Sequence, residues 1–248
     1  MGVLDEAYRV AWGDLQYMKG NLVEVFLSSL IGPLLYLLAF GFGVGGAMDD
    51  RDSYIMYIVP GIVALTTLSA TFSSVSMKVL VQRLFYMSFD ELLLCPIHIS
   101  AIIIGKTVQG IVRALISCTI LVFVGFLLSP QVVINVWIFL VIILGGFMFS
   151  LLGLLAGMIT NKTQNLSLFS SIVIIPMTFL CGTLFDVNVL PVWVADIIYI
   201  LPLTHVSNLM RGIMLPDYSV GIDSVLIIAI YIAVMFAVCY HMIKKNKC

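Results

Sequence analysis

Gly105-Lys106-Thr107 is the one triplet in this chain that resembles a phosphate-handling element, the glycine-lysine-threonine close of a nucleotide-binding loop. Such a loop needs a second glycine five residues earlier. Ser100 stands there, and Ile102, Ile103 and Ile104 fill the interval. A run of isoleucines does not wrap phosphates with free backbone amides, so the triplet is not an ATP site. Lys106 is expected to touch headgroups or the cytosol instead. His98, His205 and His241 lie far apart, and neither a GxSxG nor an HExxH pattern occurs. Cys95, Cys118, Cys181, Cys239 and Cys248 are scattered without CxxC or Cys/His spacing, which points to small apolar side chains rather than metal ligands. The closing KNKC is not a prenylation box, because its cysteine is the last residue.

The elements that must position any site are dictated by hydropathy. Of 248 residues, 62% are hydrophobic and only 10% charged, against ~25% charged in an ordinary soluble domain. Mean hydropathy is +1.16. So few charges cannot cover a soluble core of this size, so the chain is expected to lie in a membrane. A net charge of −1 and the lack of a basic, aromatic-interleaved stripe give no reason to expect nucleic acid.

A helix needs ~20 apolar residues to cross a ~30 Å hydrocarbon core. Val25–Met48 and Ser53–Met77 are uncharged, as are Thr163–Phe185 and Ser224–Ile243. Ala114–Asn161 is too long for one span, and Ser129-Pro130-Gln131 offers a turn within it. The helix before that turn starts earlier, at about Ile99. Its first turns, with Lys106, should project from the bilayer, while Arg113 sits deeper and either snorkels or faces protein. Six spans follow, at about 25–47, 54–76, 107–128, 132–159, 165–185 and 222–243. Ionisable residues in mid-span are nearly absent, which argues against a proton- or sodium-driven carrier and against an intramembrane enzyme.

With six spans both ends share a side, and that side holds ten of the twelve Lys and Arg residues. Only Arg51 and Arg211 face the other way. Both termini are therefore expected in the cytoplasm, in a multi-pass protein of the cell membrane. The glycosylation patterns at Asn161 and Asn165 then fall in a cytoplasmic loop and carry no weight. Residues 1–24 hold too many charges for a signal peptide.

Three regions are not simple spans. Residues 3–19 place Leu4, Tyr8, Trp12 and Leu15 near one helical face, the pattern of a helix lying in the interface. The stretch Lys78–Arg113 is a charged island among apolar runs, long enough to contact another protein. Val187–Leu215 is apolar but interrupted by Pro191, Asp196 and Pro202. A broken, re-entrant or interfacial helical hairpin on the outer side fits it, with Trp193 and Tyr199 at the interface. Glycines cluster within spans, and Gly153-Leu154-Leu155-Ala156-Gly157 is a GxxxG pattern. Such residues let helices approach closely, within one chain by default. The fold class is thus all-α polytopic: six transmembrane helices, an N-terminal interfacial helix, and an outer hairpin between spans 5 and 6.

Three ordered motifs resemble the type-2 ABC transporter permease family. Tyr57-Ile58-Val59-Pro60-Gly61 is similar to its proline-glycine start of the second span. Glu91-Leu92-Leu93-Leu94-Cys95-Pro96 followed by Gly105-Lys106 is similar to its cytoplasmic signature. Cys181-Gly182-Thr183-Leu184-Phe185, Leu190-Pro191-Val192-Trp193, Leu201-Pro202-Leu203-Thr204-His205 and Arg211 are similar to its outer segment. The nearest flavour is the exporters of nodulation lipo-oligosaccharides and anthracycline-type drugs. Cys181 stands where the family often has Ser.

The resemblance implies one permease domain over residues 1–248, paired with a second copy, most simply as a homodimer. ATP and Mg would reside on a separate P-loop ATPase subunit, with no cofactor in this chain. It places ATPase contacts in residues 3–19 and in a coupling loop at 78–98. Arg83, Asp90, Glu91, Pro96 and Lys106 are the expected coupling residues. It runs the transport path along the second and fifth spans, where Thr66, Thr67, Phe72, Phe169, Met177 and Phe179 are candidates. The hairpin at 187–215, with Pro191, Trp193 and Pro202, would form an outer lid. The expected activity is ATP-driven export of an amphipathic or glycolipid-like substrate or drug. A sensing or assembly subunit and an intramembrane lipid-modifying enzyme are the alternatives.

Overall fold

A computed structural model describes residues 2–44, 46, 51–128, 135–183, 191–215 and 222–247. Ten helices account for nearly all of them. They are α1 (Val3–Gly20), α2 (Leu22–Leu38), α3 (Arg51–Leu84), α4 (Ser88–Leu94), α5 (Ile99–Leu128), α6 (Trp137–Ile159), α7 (Thr163–Leu180), α8 (Val192–Ile200), α9 (Pro202–Met214) and α10 (Ile222–Lys247). No strand occurs among the described residues. A bilayer explains this choice, because a helix satisfies its own backbone where no water is present.

Five helices are long and apolar enough to cross a membrane, within α3, α5, α6, α7 and α10. The first expected span is found as a shorter apolar helix, Leu27–Gly41. Its α-helical part passes into a π-helical stretch at Ala39–Val44. Residues 45 and 47, which would complete that span, lie outside the described residues, as do 48–50, 129–134 and 184–190. The coupling loop is shorter than its expected 78–98, because α3 runs on through Leu84. Lys78 and Arg83 therefore stand on rigid helix rather than on a loop.

The core lies where α3 is flanked by α5, α6 and α9, and small residues set the helix spacing. A Cβ on Gly153 would lie 2.9 Å from the Phe72 carbonyl oxygen, and one on Gly157 would lie 2.7 Å from that of Ser76. The GxxxG face thus packs α6 against α3 of the same chain. The same device seats α1, since a Cβ on Gly105 of α5 would come within 2.7 Å of Val10.

Helix α1 is amphipathic in an unusual way. Ala7, Ala11, Asp14 and Met18 recur every three or four residues and are buried, against α5. Leu4, Tyr8 and Trp12 are exposed, on the aromatic face expected to meet an interface. Asp5 and Glu6 in its first turn and Lys19 in its last complement the helix dipole.

The described part of the proline-interrupted stretch, from Pro191, forms α8 and α9, and its prolines start helices rather than merely break them. Pro191 immediately precedes α8 and Pro202 is the first residue of α9. The carbonyls freed at the break are satisfied by side chains. Thr204 Oγ1 donates to Ile198 O at 2.7 Å, His205 Nε2 lies 2.8 Å from Tyr199 O, and the Tyr231 hydroxyl donates to Ile200 O. Backbone outside a regular helix is tolerated at membrane depth when protein satisfies it in this way.

Candidate functional site

One end of the bundle carries α1, α4, the last turns of α3 and the first turns of α5. Its centre is a buried ionic clamp. Asp14 of α1 receives Lys106 Nζ at 3.0 Å on one carboxylate oxygen and Lys78 Nζ at 3.1 Å on the other. Gln82 bridges the group, accepting from Lys106 at 2.8 Å and donating to Asp14 at 3.3 Å. Lys106 is only 7% exposed. The expectation that its ammonium meets headgroups or cytosol is therefore corrected. Its stem follows α5, but the charge is turned inward to neutralise Asp14. Lys78 also lies 5.0 Å over the Tyr17 ring, a cation–π contact that binds α1 to α3 a second time.

At the start of α1, the His98 backbone amide donates to Glu6 Oε2 at 2.9 Å, and His98 Nδ1 lies 3.0 Å from the same oxygen. These contacts hold the Glu6 carboxyl below the usual carboxylate range, the backbone bond contributing most. Helix α1 is thus fastened to α5 at both ends.

Arg83 is also committed within the chain. Its guanidinium donates to the Gly157 carbonyl at 3.1 Å, to the Met158 carbonyl, and to Asn161 Oδ1 at 2.5 Å. It caps the C-terminus of α6, where carbonyls lack helical partners. This fixes the end of α3 to α6 and leaves Arg83 as the base of the α4 projection.

Helix α4 itself is rooted by Phe89 and Leu93, both buried against α3, α5, α6 and α10. Asp90, Glu91, Cys95 and Pro96 are exposed. Leu94 is 87% exposed, with Phe85 and Tyr86 open beside it. Met87, immediately before α4, holds a left-handed φ of 54°, which turns the chain sharply out of α3. A rigidly rooted helix thus presents two acids and several apolar side chains outward.

Two cavities run along the α3 face between α2 and α5. The lower, about 640 Å³, is lined near α1 and α4 by residues including Asn21, Lys78, Gln82, Tyr86 and Gln109. The upper, about 270 Å³, is lined by Pro33, Tyr36, Ile62, Leu65, Thr66, Ser69 and Thr178 among others. Ser28, Ser73 and Arg113 line both.

The six expected path residues do not share one wall. Thr66 lines the upper cavity. Thr67 is turned into the core, its hydroxyl 3.3 Å from Cys118 Sγ, and it lines neither of these two cavities. Phe72 is buried and stacks on Phe169 at 6.1 Å, joining α3 to α7. Met177 is buried, while Phe179 is half exposed on the outer face of α7. Among the expected lid residues Pro191 and Trp193 are exposed and Pro202 is half-buried.

The far end of the bundle gathers motifs into a knot. Arg211, only 2% exposed, donates to the carbonyls of Gly182 and Thr183 and lies 3.9 Å over the Tyr57 ring. Gly61 meets the same turn, because a Cβ there would lie 1.9 Å from Thr183 O. Gly182 holds a φ of 64°, which glycine adopts without penalty. Arg211, expected in the outer hairpin, is the group that joins α9, α3 and the end of α7. Asp14, Gln82, Ser28, Ser29 and Ser73 were also missed. The signal for Asp14 was present: it is the one acid on the Ala7-Ala11-Met18 face. So was that for the hydroxyls, since Thr66, Ser69 and Ser73 recur at helical spacing.

Among the described residues no group of His, Cys, Asp or Glu could hold a metal ion. A family model described as ABC-2 type transporter matches residues 7–215. The inner membrane transport permease YadH of Escherichia coli K12 is 24% identical, with 91% of each chain covered. Nodulation protein J of Rhizobium meliloti is 28% identical over 77% of this chain and 76% of its own length. Nodulation protein J of Rhizobium leguminosarum bv. viciae is 26% identical, covering 94% and 91% respectively.

Proposed function

The chain belongs to the ABC-2 type transporter family, as a multi-pass membrane subunit, and from that premise we propose that it is the permease of an ATP-driven exporter. In this reading ATP and Mg bind a separate P-loop subunit, and the substrate is an amphipathic or glycolipid-like molecule. The observation that carries the proposal is α4. A seven-residue helix with two buried anchors and an exposed acidic-apolar face is built to receive force from a partner and pass it inward. Arg83 ties its base to α6, and Lys78, Gln82 and Lys106 tie it through Asp14 to α1. A push on α4 therefore reaches α1, α3, α5 and α6 together. Asp90, Glu91 and Pro96 are the contact residues in this scheme, while Arg83 and Lys106 act as transmitters.

In this reading α1, α4 and both termini lie in the cytoplasm, which the lysine and arginine bias supports. The outer face of α7, where Leu168, Ile172, Ile175 and Phe179 are exposed, is the surface for a second copy of the chain, with α8 and α9 as the lid above the exit. The name of the Escherichia coli relative, a transport permease, supports transport over a purely structural role.

Charge reversal by Asp90→Lys together with Glu91→Lys tests the coupling surface. Both side chains are exposed, so the permease should remain monodisperse. Co-purification of the ATPase is expected to fall at least tenfold, and transport with it. Unchanged co-purification and transport would remove α4 as the coupling element.

A further inference from the structure

The hydrogen-bond ladder of α7 changes pitch in mid-span. Thr163–Phe169 is α-helical, Ser170–Ile174 is π-helical, and Ile175–Leu180 is α-helical again. The change is visible bond by bond. The Ser170 amide donates to Leu166 O, four residues back, whereas the Ile175 amide reaches Ser170 O, five residues back. By Cys181 the pitch is normal, with its amide donating to Met177 O at 3.3 Å. Pro176 follows the π turn directly and has no N–H to give, so the ladder misses a rung at that point. Prolines and π turns are the usual causes of a bend in a helix, and π turns are frequent at functional sites.

The surroundings leave this joint free to bend. Of residues 170–176 only Ile174 is buried, and Ser171, Ile172, Ile175 and Pro176 are exposed. Pro60 of α3 is the contrast: it and its neighbours Val59 and Gly61 are buried, and α3 runs on through it. The two halves of α7 are also held unequally. Beyond the joint, Met177, Cys181 and Thr183 are buried. Thr183 Oγ1 donates to Thr178 O at 3.0 Å, and the turn is fixed by Gly61 and Arg211. Before the joint, Leu166 is buried and Phe169 stacks on Phe72 at 6.1 Å with the rings 10° apart. Thr163, Gln164, Asn165, Ser167 and Leu168 are exposed. One leucine and one ring stack are contacts that can part and re-form without unfolding the bundle. The first half also starts beside Asn161, whose Oδ1 accepts from Arg83 at 2.5 Å. The base of α4 and the start of α7 thus share one hydrogen-bond network.

We propose that Thr163–Phe169 is a gate leaf. It swings on the joint at 170–176 and parts from α3 at the Phe72–Phe169 stack, while Ile175–Leu180 stays with the Arg211 knot. A hinge of this kind needs only a few residues that absorb the change in backbone angles. The motion is a property of the chain alone, and its service as a gate rests on the permease reading. There it gives α4 an output: a push on the base of α4 passes through Arg83 and Asn161 to the leading end of the leaf. Of the exposed apolar side chains on the face assigned to a second copy, only Leu168 belongs to the leaf, so that contact does not pin it.

The test measures distances between pairs of encoded spin-label side chains in the full-length chain, reconstituted in lipid nanodiscs and diluted with excess unlabelled chain. One label sits at Val238 of α10, an exposed position beside Cys239, whose thiol donates to Leu151 O of α6 at 3.6 Å. The other sits at Ser167 in the leaf or at Leu180 beyond the joint, both exposed. The Ser167–Val238 distribution should be at least twice as wide as the Leu180–Val238 distribution. Phe169→Ala, which removes the stack, should shift the Ser167 distances and leave the Leu180 distances in place. Deleting Ser171 shortens a five-residue hydrogen-bond step to four and turns the joint into ordinary α-helix. Together with Pro176→Ala, which restores the missing donor, it should narrow the Ser167 distribution to the width of the Leu180 one. Equal widths in the native chain, or a Phe169→Ala shift shared by both labels, would overturn the leaf. These two comparisons stand even where the deletion variant does not fold. No ATPase enters the measurement, so its failure leaves the exporter reading standing, and failure of coupling at α4 leaves the hinge standing.

Discussion

Asp14→Ala is expected to release α1 from the bundle and to destabilise the protein by about 3–5 kcal/mol, the usual cost of breaking a buried ion pair. The loss is large because one carboxylate answers two lysines. Lys106, 3.0 Å away and almost wholly buried, would keep its charge with only Gln82 for a partner. Lys78 would retain the Asp14 backbone carbonyl, at 3.2 Å, and the Tyr17 ring, but no carboxylate among the described residues. The double variant Asp14→Ala/Lys106→Met should recover part of the stability, since removing both charges spares the desolvation penalty. Thermal unfolding in detergent, followed by gel filtration, measures both. An Asp14→Ala protein that melts with the native one would show that the clamp contributes nothing, as would a double variant no better than the single. The clamp also ranks α1 among the moving parts: if α4 delivers work to the bundle, Asp14→Ala should uncouple ATP hydrolysis from transport at temperatures where the protein is still folded.

Gly61→Ala should be the most damaging added methyl among the glycines whose surroundings are described. A Cβ at that position would sit 1.9 Å from Thr183 O, with the Thr183 carbonyl carbon at 2.8 Å and its Cα at 3.1 Å. All three are backbone atoms, so no side chain can swing away. Ordinary overpacking costs about 1–3 kcal/mol where side chains yield, and this contact must exceed it. Relief would require α3 to leave the turn after α7. That turn is where Arg211 donates to Gly182 and Thr183 and where Tyr57 meets Arg211. The expected outcome is near-complete loss of monodisperse protein, against a native profile for Gly13→Ala, where a Cβ meets nothing within 4 Å. A Gly61→Ala protein with a native melting temperature would mean that α3 and the turn are not in contact in the membrane.

Most of the architecture was legible before any coordinates, because hydropathy and prolines are local signals. The spans at α3, α7 and α10 follow from uncharged runs of the right length, those at α5 and α6 from one over-long run divided at Ser129-Pro130-Gln131, and Pro202 marks the first residue of α9. The boundary at the end of α3 was misjudged for a physical reason. Lys78 and Arg83 look like the start of a water-exposed loop, yet buried partners on α1 and α6 allow the helix to continue. The same blindness affected Lys106. Its charge implied exposure, and only the fold brings Asp14, ninety-two positions away in sequence, beneath it. Thr66 and Thr67 were indistinguishable as sequence neighbours, and helical geometry sends one toward a cavity and the other toward Cys118. Arg211 sits among residues that read as an outer helical hairpin, and its role depends on three segments meeting. Long-range pairing of this kind leaves no periodic trace in a single chain.

The central claim is that α4 is where a separate ATPase acts on this permease. A photoreactive amino acid at Leu94, the most exposed large hydrophobic side chain of α4, tests it in intact cells. Ile143, exposed on the flank of α6, serves as the control position. The account predicts that illumination links Leu94, and not Ile143, to a protein whose sequence carries a GxxxxGK[ST] loop, and that Asp90→Lys/Glu91→Lys abolishes the adduct. A folded protein in which Leu94 captures no such ATPase, or in which Ile143 captures it equally, would contradict it.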